Sequence, residues 1–163
     1  MALDKNAELL GCVPLFYGLA PDQLSAIVAK GRKTFFETGA TIVKRGAKGR
    51  TAYLLLSGRA VTRPPKGARI EAEVLEAGVL IGEMVMLTET VYGLDVIAEQ
   101  RVRALSIDRQ DLFAVLEADP EIAHKLAEKI TERLIFLARD LREADARFAM
   151  LEASIDDVIA QAR

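Results

Sequence analysis

Apart from Gly82, seven glycines, Gly39, Gly46, Gly49, Gly58, Gly67, Gly78 and Gly93, punctuate the stretch from Lys33 to Asp108. Between and beside them lie KTFFE, TIVKRG, TAYLLLSG, RAVTRPP, RIEAEVLEAG, YGLDVIAEQ and RVRALSID, each four to ten residues long. β-Branched and aromatic residues alternate in part within these segments, which is the pattern of short strands separated by glycine turns. Many short strands in close succession fit a small barrel or sandwich, because closure removes exposed strand edges.

The flanks have a different period. From Ala2 to about Lys30 the signals are helical: GLAPDQLSAIVAKG puts Pro21 in a first helical turn, aligns Leu24, Ile27 and Val28 on one face, and closes on Gly31. After Asp108, RQDLFAVLEADP forms a short helix that stops at Pro120. The remainder, from Glu121 to Arg163, contains neither Gly nor Pro. As one helix it spans roughly 60 Å at ~1.5 Å per residue.

That last segment is strongly periodic. Ile130, Leu134, Leu137, Leu141, Ala144, Phe148, Leu151, Ile155 and Val158 are alternately four and three residues apart, an unbroken heptad seam. A helix folded onto its own domain needs a wider apolar stripe, so the expectation is a homodimer paired through Leu134, Leu137, Leu141, Phe148 and Leu151. In a parallel pair Arg147 approaches Glu152, but Asp140 approaches Asp145, so charge leaves the orientation open. Ser154-Ile155-Asp156-Asp157 resembles a capping box and suggests a break in the final turns. The expected organisation is residues 1–118 as helices and strands around one core, and residues 119–163 as a long helix of coiled-coil type.

Charge and cysteine content narrow the function. With 22 basic and 24 acidic residues the net charge is −2, which provides no general attraction to nucleic acid or an anionic membrane. The one cysteine, Cys12, precedes VPLF and reads as a packed thiol that cannot form an internal disulfide. MALDKNAELL has no apolar signal core, and no run reaches membrane-spanning length, so a cytoplasmic chain is expected. The one histidine, His124, has no second histidine or cysteine at ligand spacing. No nucleophile, base and acid constellation can be assembled around it, and no glycine-rich nucleotide fingerprint is present. The expectation is a protein that is not an enzyme, without catalytic or metal-binding residues.

The remaining candidate is IGEMVMLTETVYGLDVIA, residues 81–98. Gly82 lets the backbone approach a bound group closely. The amides of Glu83, Met84 and Val85 then form the start of a short helix and a cradle for an anion. Glu83 either accepts hydrogen bonds from sugar hydroxyls or favours the positive end of its own helix. Local residues leave both roles open.

The order of these elements resembles the cyclic nucleotide-binding domain family, which includes catabolite activator proteins and bacterial cyclic-nucleotide-gated channels. VPLFYGLAPDQLSAIV is similar to the family's opening helix, and GATIVKRGAKGRTAYLLLSGRAVT to its glycine turns around a strand that ends in Ser-Gly. LEAGVLIGEMVML is similar to its phosphate-binding cassette, and LSIDRQDLFAVLEADPEIAHKL to its closing hinge and helix. The resemblance implies an α+β fold: an eight-stranded, jelly-roll-like β-roll with an N-terminal helix and a long C-terminal dimerising helix. It also implies a ligand site at Ile81, Gly82, Glu83, Met84, Tyr92 and Gly93, with cyclic AMP or cyclic GMP as ligand.

In that pattern Gly82 matches the cassette glycine and Glu83 the carboxylate that holds the ribose 2′-hydroxyl. The family's phosphate-binding arginine, followed by Ala, Ser or Thr, is replaced by Tyr92 and Gly93, and Asp95 stands where a neutral residue is usual. A tyrosine donates one hydrogen bond or stacks on a base but does not neutralise a phosphate, so weak or lost binding is expected unless Arg59, Arg63, Lys66 or Arg69 reaches in from the neighbouring hairpin. The transcription-factor branch continues into a helix-turn-helix domain. Here the sequence stops at Arg163, so the expectation is a module without its own DNA-binding domain, acting through an effector protein. The alternative is a ligand-independent dimeric scaffold.

Overall fold

The computed structural model describes residues 4–161, with side chains as far as Ser154. Contacts divide the chain into two compact units, one ending at Lys125 and the other beginning at Leu126.

The first unit opens with α1 (Lys5–Gly11), which begins where the Asp4 carboxylate accepts a hydrogen bond from the Asn6 amide at 3.1 Å. A single 3₁₀ turn, Pro14–Phe16, follows. Next comes α2 (Pro21–Lys30), with Pro21 at its first position and Gly31 at its end, as the sequence pattern indicates. Leu24, Ile27 and Val28 form its buried face. Cys12 is exposed at the end of α1, which corrects the expectation of a packed thiol: VPLF turns inward and the cysteine before it does not.

Eight antiparallel strands follow: β1 (Arg32–Phe36), β2 (Thr41–Val43), β3 (Thr51–Ser57), β4 (Ala60–Arg63), β5 (Val74–Leu75), β6 (Leu80–Ile81), β7 (Asp95–Ala98) and β8 (Val102–Asp108). They form two four-stranded sheets, ordered β1-β8-β3-β6 and β2-β7-β4-β5. Sequence neighbours thus fall mostly in different sheets, as in a jelly roll. Ile42, Val43, Leu55, Ala60, Ile81, Val96, Ala98, Val102 and Ala104 fill the interior between them. Within RIEAEVLEAG only Val74 and Leu75 form a strand, shorter than the composition suggests, and a turn at Gly78 then starts a separate strand, Leu80–Ile81.

A one-turn helix, α3 (Glu83–Leu87), interrupts the strands between β6 and β7. After β8 the chain enters α4 (Arg109–Ala118), capped by the Asp108 carboxylate accepting from the Gln110 amide at 3.0 Å. Then comes α5 (Pro120–Gln161), 42 residues with Pro120 at its start. Gln23 ties α2 to the α4–α5 junction: its side-chain amide donates to Asp119 Oδ2 at 3.1 Å, and its carbonyl oxygen accepts from the Ala20 amide and from Lys125 Nζ.

The second unit is the remainder of α5. The helix does not break at Ser154, whose hydroxyl bonds back to the Met150 carbonyl at 3.0 Å instead of capping a new helix. Leu134, Leu137, Leu141, Phe148 and Leu151 are 49% to 67% exposed in the single chain. The seam side chains of Ile155 and Val158 lie outside the described residues. Among the described residues no helix is long and apolar enough to cross a membrane.

Candidate functional site

Sheet pairing delivers the cassette to a fixed place. β6 pairs with β3 through Tyr53↔Ile81 and Leu54↔Leu80, and Ile81 is buried in the roll interior. The next residue, Gly82, has φ +82° and precedes the first turn of α3, a conformation that glycine adopts without strain. Val85 and Met86 anchor α3 inward, Met84 points outward and Glu83 is half-buried. The amides of Glu83, Met84 and Val85 form the leading turn of α3, as the sequence suggests, but the helix is a single turn.

The loop after α3 returns to the roll beside the turn following β2. Lys48 and Val91 form an isolated bridge. The Tyr92 amide donates to the Ala47 carbonyl at 3.1 Å, and the Gly46 amide donates to the Tyr92 carbonyl at 2.9 Å. These bonds pin the backbone of Tyr92, whose side chain packs against the interior cluster. Its hydroxyl donates to the Thr51 carbonyl at 2.8 Å. Burial, followed by the neighbouring Tyr53 phenol, raises its pKa above the ordinary phenol value, so the group is a neutral donor. Tyr53 is raised by burial as well and meets Phe36 edge to face, with ring centroids 5.5 Å apart.

The structure therefore brings Ile81, Gly82 and Tyr92 together, with Glu83 and Met84 on the adjoining turn. Gly93 is exposed and a Cβ there would meet nothing within 4 Å, so no close approach requires that glycine. The Asp95 carboxylate accepts from the Arg45 amide at 2.7 Å, just beyond the end of β2. Of the hairpin cations, Arg59 is held by Glu99, with Nε–Oε2 at 2.5 Å, and Arg63 is exposed on β4 opposite Asp95.

Arg109 is the residue that sequence reasoning missed. Its guanidinium donates to the carbonyls of Val85 (2.6 Å from Nη2, 3.2 Å from Nε), Thr88 (2.6 Å) and Gly49 (3.3 Å). One side chain thus joins the end of α3, the turn before β3 and the start of α4. A signal was present: Arg109 opens a helix, where a cation faces the positive end of the dipole, so its charge is not there to stabilise α4. Arg109 also lines an open cleft of about 560 Å³ with Lys48, Gly49, Arg50, Glu89, Thr90 and Val91. Gly82, Glu83 and Tyr92 do not line it.

The sequence model for "Cyclic nucleotide-binding domain" matches residues 33–119, more than half of the chain. A cyclic AMP receptor protein of Thermus thermophilus is 31% identical over 140 residues, covering 85% of this chain and 62% of the relative. A cyclic nucleotide-gated potassium channel of Rhizobium etli is 29% identical over 79% of this chain and 35% of its own length. The chain thus spans less than two thirds of either relative. Among solved structures, the catabolite activator protein of Thermus thermophilus superposes with a TM-score of 0.63 at 31% identity, covering 86% of this chain and 63% of that one. The N-terminal domain of a transcriptional regulator from Streptomyces coelicolor superposes with a TM-score of 0.74 at 24% identity, over 82% of this chain and 94% of that one, a likeness of fold.

Proposed function

This chain belongs to the cyclic nucleotide-binding domain family, and from that premise we propose a non-enzymatic regulatory module in which cyclic nucleotide binding is weak or lost. Its output runs through the C-terminal helix, which pairs with a second copy of the chain and recruits an effector protein.

The observation that carries this reading is Tyr92. It stands where the family resemblance calls for a phosphate-binding arginine, and its hydroxyl is already bonded to the Thr51 carbonyl. Arg109, which joins α3 to the segment before β3, has its guanidinium engaged by three backbone carbonyls. A hydrogen bond to a charged group contributes about 1.5–3 kcal/mol net, and a bidentate guanidinium lies toward the top of that range. At roughly 1.4 kcal/mol per decade, its loss weakens binding by about ten- to two-hundredfold.

Calorimetry with cyclic AMP and cyclic GMP tests the proposal. Dissociation constants well above the low-micromolar range are expected, and low-micromolar binding to the wild-type chain overturns it. A thermal-shift series distinguishes the two roles of such a module: a bound ligand at a hundred times its dissociation constant adds about 2.7 kcal/mol of stability. A clear upward shift indicates a sensor, and a flat response across cyclic mono- and dinucleotides indicates a ligand-independent dimeric scaffold.

A further inference from the structure

The Tyr92 ring lies between two glycines that are remote in sequence. A Cβ built on Gly49 would lie 2.5 Å from Tyr92 Cζ, on the Cε2 side of the ring, and a Cβ on Gly82 would lie 2.8 Å from Cε1, at the opposite edge. Neither position accepts a side chain while the ring is in place. Gly82 also needs glycine for its backbone, but Gly49 does not have a positive φ, and the three atoms that a Cβ there would meet first all belong to the Tyr92 side chain. At the far end of this slot the Thr51 carbonyl receives the hydroxyl, and along its inner side lies the apolar cluster that includes Ile81 and Val43. The ring is thus bounded by a glycine at two edges and by the apolar cluster, with an acceptor at its hydroxyl, surroundings that suit a phenol.

We propose that Tyr92 is a ligand built into the chain. Its ring closes α3 and the turn before β3 around itself, doing for the cassette what a bound group would otherwise do, and an external ligand reaches Gly82 only by expelling it. This rests on the reading that the site works without tight nucleotide binding, and adds the identity of what fills it.

The test uses no nucleotide. Amide hydrogen exchange at residues 46–51 and 83–88 is compared in wild type, Tyr92→Phe and Tyr92→Ala, each with and without p-cresol, the tyrosine side chain as a free molecule. Tyr92→Ala is expected to exchange at least about tenfold faster in both segments, because local opening loses the contact that joins them. Millimolar p-cresol is expected to slow that exchange again, as small aromatic molecules enter an engineered apolar cavity, and to leave wild type and Tyr92→Phe unchanged. Wild-type exchange rates in folded Tyr92→Ala, or acceleration that p-cresol does not reverse, overturn the proposal. A double-mutant cycle keeps the proposal testable if Tyr92→Ala does not fold without p-cresol. Gly49→Ala should accelerate exchange at residues 83–88 when Tyr92 is present, and should have no further effect in Tyr92→Leu, which keeps an apolar filler but lacks the ring atoms that a Cβ on Gly49 would meet. Equal effects in both backgrounds overturn the proposal. These outcomes are read without cyclic nucleotide, so calorimetric failure of the weak-binding reading is separately visible.

Discussion

Tyr92 concentrates the residue-scale chemistry of this protein. An acid whose pKa is raised by folding favours the folded state below its unfolded value, about 10 for a phenol, and loses that contribution as pH rises through the folded value. Stability should therefore fall above about pH 10, and Tyr92→Phe should flatten part of that decline while leaving the part due to Tyr53. Urea unfolding of both proteins at a series of alkaline pH values checks this. Tyr92→Arg removes the ring and supplies a guanidinium beside Gly82, so its affinity for cyclic AMP should exceed that of wild type by roughly ten- to two-hundredfold. Calorimetry showing no gain would place the phosphate site elsewhere. Gly82 and Glu83 were legible in the sequence because they are adjacent and open a helical turn. The slot around Tyr92 was not: it depends on Gly49, which is one of seven turn glycines until the fold brings it against the ring. The partner of Asp95 was not legible either, since the Arg45 amide is brought near only by the pairing of β2 with β7.

At the scale of elements, the joint between α3 and α4 is made by Arg109. Its side chain is largely shielded, and removing it leaves the carbonyls of Val85, Thr88 and Gly49 without their charged donor. Arg109→Ala should cost about 1–3 kcal/mol in urea unfolding. Arg109→Lys should recover only part of this, because an ammonium does not reproduce the planar fork that spans three acceptors. Full recovery by lysine would show that charge, not geometry, holds the joint. Most elements were legible because each carries its own signal: Pro21 and Gly31 bracket α2, Pro120 starts α5, and strong apolar runs mark β3 and β8. The errors fell where local signals are weak. RIEAEVLEAG has strand composition over ten residues but only Val74 and Leu75 form a strand, and Ser154 carries a cap signal that its bond to Met150 overrides. Arg109 escaped because its function lies in three carbonyls contributed by other segments.

The chain as a whole presents an imbalance that a second copy would relieve. Leu134, Leu137, Leu141, Phe148 and Leu151 are largely exposed on α5 in the single chain, and each follows the heptad spacing. Moving a Leu or Phe side chain out of water contributes about 1.5–3 kcal/mol. Five per chain, doubled in a symmetric pair, outweigh an association cost of about 4–15 kcal/mol even if burial at the seam is incomplete. Ala144 lies within the seam and leaves room for a bulky side chain such as Phe148 of the partner, which favours a staggered or antiparallel crossing. Wild type should therefore be a homodimer at micromolar concentration. Leu137→Asp combined with Leu141→Asp should yield folded monomers, because the core of the roll is built from Leu55, Ile81, Val96, Val102 and their neighbours, all before α5. Light scattering and circular dichroism decide the matter together. A single-chain mass for wild type, or a dimeric mass for the double variant, excludes the seam as the interface; an unfolded double variant would show instead that these leucines support the fold of the chain itself.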